Sequence, residues 1–267
     1  MEDVIAVIVR DAPAEKPRRA FRLPGWEGAL FILGLLALWQ GVSSWGGLPN
    51  PALFPSIPAV LRALRLSLPE LLKGTWYSFL ILVPGYATAV ALGVLWGLLV
   101  GTTGWLRRAF SPFARAAAPV PPTVYIPYAI ALLPTFRVSA IFVVFVGAFW
   151  PVFVNTAAGA AGMPGRHRDN ARILGLSRCS YLRRVVFRAA LPHIFAGMGV
   201  GLALSFILLT VAELFGANAG LGHFVQYYAD FADYPRMAAG ILYTGAVTLL
   251  SMGLLELARR RALFWVR

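Results

Sequence analysis

Six stretches of this chain contain no charged residue: Gly28–Leu61, Gly74–Leu106, Ala116–Phe136, Val138–Gly165, Ala189–Ala212 and Met237–Leu255. A helix needs about 20 apolar residues to cross the hydrocarbon core of a bilayer. We read one spanning helix from each stretch, six in all, with loop or interfacial pieces included in the longest. The expected fold is therefore an all-α membrane protein. Composition agrees, since 59% of the 267 residues are hydrophobic and 13% charged, against about 25% charged in soluble chains.

The net charge of +13 raises the question of a nucleic-acid partner, and its distribution answers it. With a cytoplasmic N-terminus, residues 1–27, the Arg107–Arg115 loop, the Arg166–Arg188 loop and the tail from Glu256 lie inside. They hold nineteen of the 24 Lys and Arg residues; Arg62, Arg65, Lys73, Arg137 and Arg236 lie outside. That is the positive-inside bias of membrane proteins. Topology accounts for the basic charge, and no nucleic-acid partner is expected. Both termini are expected in the cytoplasm, with membrane lipid around the bundle.

The start does not read as a cleaved signal peptide: its polar leader exceeds about twenty residues, longer than an n-region, and no A-x-A site follows the apolar run. Four regions are expected. Residues 1–26 form a cytoplasmic tail, and 27–70 hold the first spanning helix plus a periplasmic interfacial helix at AVLRALRLSL. Residues 71–260 form the core, with a basic loop at 164–188, and 261–267 end the chain in the cytoplasm.

Gly85, Ala89, Gly93, Gly97 and Gly101 repeat at a spacing of four. That spacing returns nearly to one helix face, so the small residues form a groove for close helix packing. The third run, AAAPVPPTVYIPYAIALLPTF, carries Pro119, Pro121, Pro122, Pro127 and Pro134. Each removes a helix hydrogen bond, and the freed backbone must be buried in protein or line a wet cavity. Either a broken helix beside a pathway or a kinked packing helix satisfies this.

Catalytic chemistry is missing. No G-x-x-x-x-G-K-[ST] loop occurs, and Lys16 and Lys73 are the only lysines. His167, His193 and His223 have no ligand spacing, so no metal site is expected. Cys179 is the single cysteine, which excludes an internal disulfide. Catalytic residues are expected to be none. Asn155, Ser205, Thr210 and Glu213 are polar groups on apolar helices, which places them toward the interior as candidate pathway residues. Glu213 either gates the pathway, caps a turn at GANAGLG, or sits at the interface in water.

The basic loop DNARILGLSRCSYLRRVVFRAALP reads as two short helices broken at Gly175 and Ser177, with Pro192 fitting the start of the fifth membrane helix. A loop of this kind docks a partner or binds anionic lipid. It resembles the EAA motif of type I ABC importer permeases. The motif positions read Asp169, Asn170, Ala171, then Gly175, then Leu191–Pro192; Asp replaces the family's Glu and Asn its first Ala. LPNPALFPSIPAVLRAL, PVFVNTAAGAAGMP and VAELFGANAGLGHFV resemble, in order, further segments of the nitrate/sulfonate/taurine branch. Where that branch carries a W-F-G-like stretch after the third helix, this chain has LLPTFR.

The resemblance implies a type I importer fold with six transmembrane helices and a cytoplasmic coupling helix, multi-pass in the cell (inner) membrane. It also implies a second copy of this chain, two ATP-binding subunits, and a periplasmic or lipid-anchored substrate-binding protein. ATP and Mg would sit on the partner subunit, with no cofactor on this chain. Asp169, Asn170, Ala171, Leu174, Gly175, Leu176, Ser177 and Arg178 would meet the ATPase. Ala171 and Leu174 would present a small apolar face, and Asp169, near the helix start, would favour the dipole. Such a permease passes a small solute, a nitrate-, bicarbonate-, sulfonate- or taurine-like anion, inward by alternating access. An ATP-independent channel or ion-coupled carrier is the alternative, and would need paired charges within the helices. A scaffold that only recruits a partner leaves the broken third helix unexplained.

Overall fold

The computed structural model describes residues 25–44, 53–117 and 120–264. The chain divides into two compact units, Met1–Ile57 and Pro58–Arg267. The expected N-terminal tail, the first part of the loop after the first helix, Pro119 and the last three residues lie outside the described residues. In the first unit, α1 (Gly25–Ser44) is apolar on every face, as a lipid-embedded helix must be. The Trp39 indole donates to the Pro55 carbonyl at 3.1 Å, and the Ile57 amide donates to Gln40 Oε1 at 3.2 Å.

The second unit is built on α2 (Ile57–Thr102), α5 (Phe136–Ala161), α7 (Arg178–Gly216) and α9 (Tyr234–Ala262). With α1, these make five helices long and apolar enough to cross a membrane among the described residues. No separate interfacial helix forms at AVLRALRLSL, contrary to expectation. Val60, Ala63, Ser67 and Leu71 continue the buried stripe of α2, so the segment is the first turns of one 46-residue helix. At 1.5 Å per residue α2 is about 69 Å long, far beyond the hydrocarbon thickness.

The stripe of small residues lies against α5. A Cβ added at Gly97 would stand 2.6 Å from Thr156 Cβ, and one at Gly101 2.6 Å from the Ala157 carbonyl oxygen. Gly85 meets Ile141 and Gly93 meets Val152 in the same way, so residue numbers rise together and the two helices run parallel. Ala89 is fully buried in the same stripe. Against α7, by contrast, α5 runs antiparallel, with Ala148 at Gly201 and Gly159 at His193. Ile81, Leu82, Val144, Phe206 and Leu209 form the core where α2, α5 and α7 meet.

Parallel α2 and α5 require the chain between them to return across the bundle, and this corrects the expected third helix. The return is not one spanning helix. It is split into α3 (Gly104–Ala117) and, after a 3-10 turn at Pro122–Tyr125, the seven-residue α4 (Ile126–Leu132). The expected Arg107–Arg115 loop is therefore helical. Ala114 packs near Val100 and Phe153, while Ile126 and Ala129 pack on Val143 and Leu208, so the path moves back along α5. Prolines explain the break: Pro121, directly before Pro122, is extended, at φ −62° and ψ 121°, as a residue before proline prefers. The Ser139 hydroxyl donates at 2.8 Å to the Ala129 carbonyl, which also accepts from the Leu133 amide, so the end of α4 is tied to the start of α5.

Pro192 lies inside α7 rather than at its start. The helix begins at Arg178, runs through a π turn at Leu182–Val186, and continues to Gly216. Val186 in that turn is buried on Ala160 and Met163, which anchors α7 to the end of α5. The remaining elements are α6 (Gly165–Ile173) and α8 (Leu221–Asp230).

Candidate functional site

At the end of the bundle where α5 finishes, the basic loop forms a helix, a left-handed turn and a second helix start. The Leu176 amide donates to the Ala171 carbonyl at 3.1 Å, with Gly175 between them at φ +62°. This six-to-one bond over a left-handed glycine is the Schellman stop, which satisfies carbonyls that a helix end leaves free. A side chain with a Cβ is strained at such φ. Ser177 then caps α7, its Oγ accepting from the Ser180 amide at 3.4 Å. The break expected at Gly175 and Ser177 is thus a defined turn.

Two details differ from the sequence reading. Asp169 is the fifth residue of α6, beyond the first turn, so it gains little from the helix dipole, which acts over the first turn. Ala171 is only 5% exposed and faces the chain itself. The apolar surface turned outward is Leu174, at 73%, together with Ile173, at 83%, which sequence reasoning missed. The signal was there: two large apolar residues directly before a stop glycine cannot both turn inward. Asn170 is exposed, and its carbonyl accepts from the Leu174 amide at 3.0 Å. Arg178 is exposed and donates to Thr103 Oγ1 at 3.4 Å. Cys179 is free and exposed.

At the opposite end, α7 finishes at a buried carboxylate. Glu213 is 1% exposed, not an interfacial acid in water. Its Oε1 accepts from the Ser78 hydroxyl on α2 at 2.7 Å, and its Oε2 accepts from the Gly222 amide in the first turn of α8 at 2.7 Å. Ser78 Oγ in turn accepts from the Leu221 amide at 2.9 Å. A carboxylate and a hydroxyl therefore take up the first N–H groups of α8, where a helix offers unpaired donors and partial positive charge. Gly220, at φ +130°, lets the backbone fold over the acid; a Cβ there would stand 2.5 Å from Glu213 Cδ. This clip joins α2, α7 and α8.

The other candidate pathway residues are turned to helix backbone. Asn155 donates to the Pro151 carbonyl at 2.8 Å, and its Cβ lies at the Gly197 contact with α7. The Ser205 hydroxyl, inaccessible in this chain, donates to the Gly201 carbonyl at 2.8 Å. Thr210 Oγ1 donates to the Phe206 carbonyl at 2.9 Å and is half-buried. Of the four, Glu213 is the one that joins separate helices by side-chain hydrogen bonds.

The architecture has counterparts of known role. The nitrate import permease protein NrtB of Synechocystis sp. is 29% identical over 236 residues, covering 83% of each chain. The bicarbonate transport system permease protein CmpB of Synechococcus elongatus is 32% identical over 234 residues, covering 82% of each. The putative aliphatic sulfonates transport permease protein SsuC of Bacillus subtilis is 28% identical over 257 residues, covering 96% of this chain and 92% of that one. The family described as binding-protein-dependent transport system inner membrane component matches residues 89–263. This matched region includes the α5–α7 pair, the Schellman turn and the Glu213–Gly222 part of the clip, and the chain belongs to that family of ABC importer permeases.

Proposed function

We propose that this permease carries a small oxyanion, that two copies form the pathway, and that two ATP-binding subunits dock on the Asp169–Arg178 loop. A periplasmic or lipid-anchored binding protein delivers the anion to the opposite end. ATP hydrolysis belongs to the partner subunits, with the loop and both termini in the cytoplasm. The observation that carries this reading is the exposed Ile173–Leu174 pair on a short helix stopped by a left-handed glycine and anchored at its base. Exposed apolar pairs held on a rigid support are what a partner groove recognises. The substrate class rests on the relatives, whose names specify nitrate, bicarbonate and aliphatic sulfonates.

In this reading ATP closes the ATPase dimer and displaces the docked loops. The helices then pass from inward-open to outward-open, and hydrolysis returns them. A ligand shifts such an equilibrium only by binding one state more tightly than the other. The test is purification from native membranes in mild detergent with mass spectrometry of co-purifying chains, followed by nitrate and methanesulfonate uptake in proteoliposomes. An ATP-binding subunit in equal amount, lost in the Ile173→Ser/Leu174→Ser double variant, supports the reading. Solute movement by the chain alone, with no ATPase bound, overturns it in favour of a carrier or channel.

A further inference from the structure

A cleft of about 250 Å³ opens beside the Glu213 clip, between α2, the start of α5 and the 217–219 segment. Its walls are largely apolar, from Tyr77, Leu80, Ile81 and Phe136, and Arg137 and Asn218 are the charged and amide residues among those that line it. None of the lining side chains is acidic. The nearby acid, Glu213, is covered by Gly220 and Gly222, with both oxygens engaged.

Arg137 is held in place by a consequence of the proline in α2. Pro84 has no N–H, so the carbonyl four residues earlier, that of Leu80, loses its helix partner. Arg137 Nη2 donates to that carbonyl at 3.3 Å. Guanidinium carries five N–H donors, so this bond fixes the head group and leaves donors for the cleft. Arg137 also stands in the first turn of the 26-residue α5, where the helix dipole disfavours a cation and favours an anion. The 217–219 segment is fixed too, because it spans from the end of α7 to the Gly220 fold over Glu213.

We infer that this cleft is an entry site for a small dissolved oxyanion such as nitrate or a sulfonate, with Arg137 as the charged fork and Asn218 as a neutral donor. The inference rests on the proposed oxyanion importer and adds the residues that first receive the anion. The phosphate of a lipid headgroup offers the same chemistry, and the experiment separates the two.

Ala219→Cys in a Cys179→Ser background places a thiol on the cleft wall without touching either polar group. The purified transporter is reconstituted in phosphatidylcholine nanodiscs, and anionic and cationic methanethiosulfonates are compared with their rates on a free thiol. The anionic reagent is expected to be favoured about tenfold or more, the scale of a charged cleft with low-dielectric walls. Arg137→Gln removes the preference and Arg236→Gln, an arginine outside the cleft, leaves it. Millimolar nitrate or methanesulfonate slows labelling, and Asn218→Ala weakens that protection. Arg137→Lys, which keeps the charge, retains the preference and so separates charge from loss of the Leu80 bond. No preference, a preference that survives Arg137→Gln, or protection that follows added phosphatidylglycerol instead of dissolved nitrate overturns the site. Labelling needs no transport, so a failed site with intact nitrate uptake leaves the importer reading standing.

Discussion

The Ser78 hydroxyl donates to Glu213 Oε1 at 2.7 Å while accepting from the Leu221 amide at 2.9 Å. Its single proton is therefore committed to the acid, and its lone pair to α8. Ser78→Ala leaves a buried amide unpaired, which costs about 1–3 kcal/mol. Glu213→Gln keeps the shape but presents an N–H₂ group to one of two donors, so it is expected to lower the melting temperature in detergent as well. Glu213→Ala should lower it further. Wild-type melting by Glu213→Ala would show that the clip holds nothing.

Close packing of α2 on α5 makes a second test. A Cβ at Gly97 or Gly101 would fall 2.6 Å from α5 atoms, whereas one at Gly245 meets nothing within 4 Å. Overpacking of this kind costs about 1–3 kcal/mol. Gly97→Ala and Gly101→Ala are expected to lose thermal stability and Gly245→Ala to be neutral, read by fluorescence-detected gel filtration after heating. Equal behaviour of all three would contradict the packing described.

The two properties of Gly175 can be separated. Its φ of +62° disfavours any Cβ, yet a Cβ there meets nothing within 4 Å in this chain. Asn tolerates the left-handed region better than other residues. Gly175→Asn is therefore expected to retain ATPase binding, and Gly175→Trp to lose it while the permease itself still folds. Co-purification of ATPase with Gly175→Trp at wild-type yield would mean that no partner approaches this turn.

Thr156 Oγ1 is buried with no hydrogen-bond partner among the described residues, on the face that meets Gly97. A buried hydroxyl without a partner costs stability, and its removal at constant shape is neutral or favourable. Thr156→Val should melt at or above the wild-type temperature. A clear drop would reveal that the hydroxyl has a partner in the assembled transporter.

Charge-free length made the membrane class legible, and a spacing of four made the α2 stripe legible, because both depend on local periodicity. The Gly175 turn was legible for the same reason. The α3–α4 break was only half visible: prolines announced it, but the three arginines of α3 read as a loop. AVLRALRLSL looked amphipathic in isolation, since the partners of its inward residues lie far along the chain; Leu64 packs against the cluster that holds Leu221 and Phe224. For Glu213 a cap on the turn at GANAGLG was one of the readings, and its Gly222 bond lies there, but the Ser78 bond was hidden because Ser78 is 135 residues away. Local sequence cannot report a hydrogen bond across that separation.

One helix has the Gly175 turn three residues before its start and the Glu213 clip three residues from its end. From Arg178 to Gly216, α7 is about 59 Å of continuous helix at 1.5 Å per residue. Its irregularities, the π turn and Pro192, both lie in the half nearest the loop. Beyond Pro192 the regular helix is about 36 Å long, so a tilt of about ten degrees there would sweep its tip through about 6 Å. If a partner pushes at the loop, the displacement that reaches Glu213 scales with the length of that arm.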